Sequence, residues 1–143
     1  MNLMVINGPN LARLDIRDSS IYGDLNYGEL KSLIEEHAKA AGFDVDVRQS
    51  NDEATIIGWL HEAADNKVAV IINPAAFTHY SYAIRDAAEL LTTPLIEVHL
   101  SNPMAREEFR HTSVISGVAT GTIAGFGPNS YVLAINALKS IIG

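Results

Sequence analysis

Two unbroken apolar runs constrain this chain more than anything else in it. Leu3 to Ile6 is stopped by Asn7-Gly8-Pro9-Asn10, and Val68 to Ile72 by Asn73-Pro74. A strand with one wet face alternates polar and apolar residues, whereas a run without alternation suits a strand covered on both faces, as in a parallel sheet between helices. Both runs therefore predict central strands. Phe43, Val45 and Val47 alternate with Asp44, Asp46 and Arg48, the pattern of an edge strand. Leu95, Ile96 and Val98, bounded by Pro94 and Asn102-Pro103, predict a fourth strand, and Val118 to Ala124 a last one broken by Gly125 to Gly127.

Helical spacing fills the gaps between these strands. Asn26 and Glu29 form a capping-box pattern ahead of Leu30, Leu33, Ile34, His37, Ala38 and Ala41, and Gly42 stops the helix. Ser50 with Glu53 offers a second box, ahead of a stripe of Ile56, Ile57, Leu60, Ala63 and Ala64 that leaves Trp59 and His61 to one side. Tyr80, Ala83, Ile84, Ala87, Ala88 and Leu91 predict a third helix ended by Thr92-Thr93-Pro94; Tyr131, Ala134, Ile135, Leu138, Ile141 and Ile142 predict a last one. Alternating strands and helices with an edge-type second strand predict an α/β, flavodoxin-like fold: a five-stranded parallel sheet of order 2-1-3-4-5 with helices on both faces, residues 1–143 forming one domain. Leu11 to Leu25 keeps no period and reads as a long loop, functional or disordered.

Composition narrows the function. A net charge of −7 argues against a polyanion-binding surface, so any anion site must be local. With no cysteine there is no disulfide framework, thiolate nucleophile or cysteine metal site. The amino terminus lacks a basic region before its short apolar run, and no run approaches a membrane span, which predicts a soluble, cytoplasmic protein. Lys31, Lys39, Lys67 and Lys139 fall away from the strand tips, which disfavours Schiff-base chemistry. The first turn is neither a dinucleotide fingerprint nor a phosphate loop, and no metal-ligand spacing occurs.

In an open parallel sheet, ligands bind beyond the carboxyl ends of the strands. Those ends carry Asn7 and Asn10, Gln49 and Asn51, Asn73 and His79, His99 and Ser101, and Asn129. Pro94 to His111 is the densest stretch: His99 at a strand tip, then Leu100 and Ser101, then Arg106 and Arg110 at a spacing that shares one face of a helical turn. An imidazole, a hydroxyl and two guanidiniums suit a small anionic substrate that needs proton transfer. They equally suit a structural network, with Glu97 pairing His99, and Glu107 and Glu108 neutralising the arginines. Tyr22, five residues after Arg17, is either a loop anchor or a phenol whose anion a cation favours. Asp86 is within reach of Arg85 or Arg110, His37 and His61 read as structural, and His111 stays open between roles.

Taken together, Asn-Gly-Pro-Asn-Leu at 7–11, the Arg17 to Tyr22-Gly23 loop, Gln49-Ser50-Asn51, Asn73-Pro74, Thr78-His79, Arg85-Asp86, Glu97 to Asn102 and Ala105 to His111 resemble type II 3-dehydroquinate dehydratase over essentially the whole chain. The resemblance implies a single catalytic domain that removes water from 3-dehydroquinate by cofactor-free anti elimination through an enolate. Tyr22 would be the base and His99 the acid, with Glu97 orienting His99. Arg17 would stabilise the tyrosinate, and Asn10 a water at the enolate oxygen. Asn73 and the amides of Leu100 and Ser101 would hold the carboxylate and leaving hydroxyl; His79 and Arg110 would grip ring hydroxyls, and Asp86 would reach a neighbouring subunit's site. It also implies a homo-oligomer of trimers grouped into a dodecamer, no nucleic-acid or membrane partner, and service in aromatic biosynthesis or quinate breakdown. Ala12, Asp15, Asp18, Ser19, Ala75 and Met104 depart from the common pattern, which leaves a divergent lyase on a related cyclic hydroxy acid as the competing activity. A noncatalytic module on the same fold is the third class.

Overall fold

β1 (Asn2–Asn7) and β3 (Ala69–Asn73) lie side by side at the centre of the sheet, paired in parallel from Leu3 opposite Ala69 to Asn7 opposite Asn73. The computed structural model describes all residues, Met1–Gly143. β2 (Asp44–Gln49) flanks β1, and β4 (Leu95–His99) and β5 (Gly121–Ala124) follow β3, giving the all-parallel order β2-β1-β3-β4-β5 that the sequence predicts. β2 is an edge strand, with Val47 buried and Asp44 and Asp46 exposed.

The period of two explains how the unbroken runs are used. Leu3 and Val5 point to one face, where Leu30, Ile34 and Ala38 of α2 (Tyr27–Ala40) and Ala134, Ile135 and Leu138 of α5 (Asn129–Ile142) cover them. Met4 and Ile6 point to the other face, against Ile56, Leu60 and Ala63 of α3 (Glu53–Asn66) and Ile84, Ala87 and Ala88 of α4 (Tyr82–Glu89). Each fully buried large aliphatic contributes about 1.5–3 kcal/mol, so polar substitution on either face of β1 or β3 acts against the whole sheet. No helix is long and apolar enough to cross a membrane.

The Asn26–Glu29 capping box forms in both directions, and Gly42, at φ 91°, lies just beyond the end of α2. The Ser50–Glu53 box does not form. Asp52 caps α3 by accepting from the Thr55 N–H at 3.2 Å, Ser50 Oγ accepts from the Asp52 N–H, and the Glu53 carboxylate turns to Ser81 Oγ. Ser81 in turn caps α4 through the Ile84 N–H, so that helix starts after Tyr80 and leaves Tyr80 and Ala83 exposed rather than in its stripe. Trp59 is partly buried against the second core cluster, with the Arg48 guanidinium over its ring. Ile141 is exposed near the end of α5.

Two further expectations change. Leu11 to Leu25 is not structureless: a 3-10 segment spans Leu11–Ile16, burying Leu11 and Leu14, and a single helical turn, α1, spans Ser19–Tyr22. The last strand is shorter than Val118 to Ala124, because Ser116–Val118 forms a 3-10 turn that aims the Ser116 hydroxyl at Glu97. A buried carboxylate needs donors, and that need outweighs the β-propensity of Val118.

Candidate active site

Beyond β1 the backbone is forced into a tight turn. A Cβ at Gly8 would lie 2.7 Å from the Pro74 carbonyl oxygen, so only glycine fits there. Asn10 then adopts a left-handed conformation at φ 69°, which Asn tolerates better than most residues, and lines a cavity at the strand tips. β3 delivers Asn73 to the same cavity and the following turn delivers His79. Asn73 has little freedom: its Nδ2 donates to Tyr131 Oη at 2.9 Å and its Oδ1 accepts from the Ala75 N–H at 3.1 Å. The fully buried Tyr131 gives its own proton to Asn7 Oδ1 at 2.6 Å, while Asn7 Nδ2 is buried without a partner.

β4 supplies His99, Leu100 and Ser101. Glu97 and His99 project from the same face of the strand because they are two residues apart, and His99 Nε2 donates to Glu97 Oε2 at 2.5 Å. Glu97 is fully buried and also accepts from Thr78 Oγ1 at 2.6 Å, Ser116 Oγ at 2.7 Å and Ser113 Oγ at 3.0 Å. Burial alone would raise its pKa. The bond and charge of His99 and the hydroxyls of Thr78 and Ser116 more than offset that, holding it below the usual carboxylate range. With Nε2 tied to an ionised carboxylate, Nδ1 is the ring nitrogen without a protein partner. The N–H groups of Leu100 and Ser101 are not used by the backbone hydrogen bonds of the surrounding loops. His79 donates from Nδ1 to the Thr112 carbonyl at 2.8 Å, which leaves its Nε2 as the free nitrogen.

Arg17 and Tyr22 close the cavity from the other side. Asp18 caps α1 by accepting from Ser20 N–H at 2.9 Å and Ser20 Oγ at 2.6 Å, and Tyr22 is the last residue of that turn. The Arg17 guanidinium carbon lies 3.6 Å from the centre of the Tyr22 ring, stacked on the ring. Burial draws the Arg17 pKa below its usual value, and Tyr22 acts against that. The phenol oxygen itself is held by Arg106, whose Nη2 donates to it at 2.7 Å while Nη1 donates to Ser101 Oγ at 3.1 Å.

Arg106, which the sequence groups with Arg110 as a guanidinium suited to a small anion, lines the cavity and also holds the Tyr22 oxygen. Its spacing to Arg110 was visible, but no local pattern announces a contact with a tyrosine 84 positions away. The two arginines do not share a helix. Pro103–Ala105 and Glu108–His111 are separate 3-10 turns with Arg106 extended between them, and His111 Nε2 donates to the Arg106 carbonyl at 3.1 Å. Arg110 also lines the cavity, paired to Glu107 at 2.8 Å. Glu97 stands behind His99 rather than in the cavity wall. Asp86 stands apart: it lies on the exposed side of α4, 3.1 Å from Arg85 Nη1, and does not join this chain's cavity. Three guanidiniums, two imidazoles and a phenol thus face one space in an otherwise acidic protein, a setting for an anion that exchanges protons. No group of three His, Cys, Asp or Glu side chains is placed to hold a metal ion.

The family model for class II dehydroquinase matches residues 1–139. A 3-dehydroquinate dehydratase of Mycobacteroides abscessus is 55% identical over 135 residues, 94% of each chain. The one of Salinispora tropica is 51% identical over 140 residues, 98% of each chain. The crystal structure of a type II dehydroquinase from Propionibacterium acnes superposes with a TM-score of 0.95 at 49% identity, covering 97% of this chain and 96% of that one. With the family model spanning nearly the whole chain and relatives about half identical over their full length, the chain belongs to the class II dehydroquinase family.

Proposed function

We propose that this protein is a 3-dehydroquinate dehydratase that works by anti elimination through an enolate, with Tyr22 as base and His99 as acid. One observation carries the reading: a phenol held by a guanidinium and an imidazole backed by a buried carboxylate line the same cavity. A free tyrosine titrates near about 10, so a phenolate base at neutral pH needs positive charge beside it. Arg106 at the oxygen and Arg17 on the ring face supply that charge.

The phenolate removes a proton from the carbon beside the substrate ketone, and the electron pair moves to the ketone oxygen to form the enolate. Asn10 positions a water facing that oxygen. The enolate then collapses, the bond to the leaving hydroxyl breaks, and charged His99 gives it a proton from Nδ1, so that water departs. Tyr22 has gained one proton and His99 has lost one. Glu97 stabilises the charged imidazole and fixes its orientation. Asn73 and the N–H groups of Leu100 and Ser101 hold the carboxylate and leaving-group end, while His79 and Arg110 grip ring hydroxyls. Asp86 serves the site of a neighbouring subunit within trimers grouped into a dodecamer.

Mixing purified protein with 3-dehydroquinate tests the reaction, and the expected outcome is growth of a conjugated enone absorbance, unchanged by chelators or borohydride. A substrate-derived mass on a lysine after borohydride would overturn the mechanism. Absence of conversion together with tight binding of another cyclic hydroxy acid would shift the assignment to a divergent lyase.

A further inference from the structure

Gln49 and Asn51 lie outside the cavity wall, yet they reach the one backbone segment that delivers Asn10 to it. The turn from Gly8 to Asn10 cannot satisfy itself. Pro9 has no N–H, the Leu11 N–H meets the Gly8 carbonyl only at 3.5 Å, and Asn10 is held at φ 69°. The loop after β2 supplies what is missing. Gln49 Nε2 donates to the Gly8 carbonyl at 3.1 Å and to Asn51 Oδ1 at 3.1 Å, and Asn51 Oδ1 also accepts from the Asn10 N–H at 3.0 Å. Both partners of the Gln49 nitrogen are acceptors, and both partners of the Asn51 oxygen are donors, so neither amide can turn over without losing two hydrogen bonds. The two side chains form a directional bridge from the carbonyl at one end of the turn to the N–H at the other.

We propose that Gln49 and Asn51 are positioning residues for Asn10, pinning the Gly8–Asn10 turn in its left-handed form so that Asn10 is presented to the reacting oxygen. The inference rests on the reading of Asn10 as the residue that places water at the enolate. Under that reading Asn10 acts as negative charge develops, so mispositioning it lowers kcat more than it raises KM. A loop that merely tied two segments together would show no such split and no dependence on Asn10.

The bridge can be tested with two substitutions of matched size and charge. Asn51→Asp keeps the accepting oxygen and is expected to hold kcat within about twofold of the parent, whereas Gln49→Glu sets an acceptor against two acceptors and is expected to lower kcat about tenfold with little change in KM. Because both add one negative charge at neighbouring positions, a general charge effect would move them together. Gln49→Leu, which deletes the donor without adding charge, is expected to match Gln49→Glu. In an Asn10→Ala background neither Gln49 change should lower kcat further. Equal losses in the two acid variants, or a full further loss in the Asn10→Ala background, overturn the bridge. A parental kcat in Asn10→Ala alone overturns the role of Asn10 itself, before either loop residue is touched.

Discussion

His99 and Tyr22 line one cavity, but the chain supports them in opposite ways. His99 ends a strand at the heart of the sheet, and the carboxylate behind it is fully buried and filled with four hydrogen-bond donors from three separate segments. Tyr22 ends a helical turn of four residues whose cap, Asp18, and first two residues, Ser19 and Ser20, are exposed. A turn that short has no helical stability of its own. What holds it are the Arg17 and Arg106 contacts, partial packing of the Tyr22 ring on the core, and Gly23, where a Cβ would meet Pro128 Cδ at 3.0 Å. The contrast assigns different tasks. Under the proposed mechanism the proton donor is held by a buried network, whereas the base ends a short turn whose first residues are exposed.

The contrast can be broken most severely at the base. Tyr22→Phe is expected to reduce kcat by about 10³-fold or more at every pH, since no group remains to take the proton; steady-state rates across a pH series check this, and substantial dehydration would demote the loop to a cover. His99→Ala is expected to lower kcat by about 10²-fold while substrate affinity, measured by calorimetry, changes far less. Arg17→Leu should lose most activity at neutral pH and regain part of it as pH rises, because hydroxide then does part of what the guanidinium did. A pH–rate profile parallel to the parent's would limit Arg17 to packing.

Stability separates the halves from the other direction. Glu97→Gln should destabilise the fold by about 1–3 kcal/mol, whereas changes at Asp18 should leave the melting temperature nearly unmoved. Because the folded protein holds Glu97 below the usual range, its ionised form adds stability above the unfolded value of about 4.3, and that contribution disappears as pH falls through the lower folded value. The melting difference between parent and Glu97→Gln should therefore narrow in acid. The smallest effect belongs to Ala75, at φ 51°. Ala75→Gly removes left-handed strain, partly offset by the greater freedom of unfolded glycine, for a net gain of about 0.5–1 kcal/mol in denaturant unfolding.

How much of this was legible follows from range. Central strands declare themselves because covering on both faces erases alternation, and His99 at a strand tip follows from the position of β4. Helix caps are decided by competition among near neighbours, which is why Asp52 displaces Ser50 and Ser81 displaces Tyr80 from the start of their helices. Contacts across the fold leave no local trace: the phenol oxygen pairs with Arg106 rather than with Arg17, the charge nearer in sequence. The resemblance to a family implies roles for residues whose spacing alone is ambiguous, and its motifs include Arg106, but it does not supply the contact of Arg106 with Tyr22, nor the hydroxyls of Ser113 and Ser116 around Glu97.

The hydroxyl of Tyr131 joins Asn7 and Asn73, partners 124 and 58 positions away. During synthesis, β1 and β3 emerge long before that hydroxyl exists, so the asparagines at their tips stay without it until the final helix leaves the ribosome. A nascent chain stopped short of α5 would carry every residue of the cavity and still lack one of the two bonds that fix Asn73. Separate expression of residues 1–125 and 126–143 offers a view of that moment: the longer fragment alone should be inert toward substrate, and adding the shorter one should restore turnover at a rate set by docking of the helix.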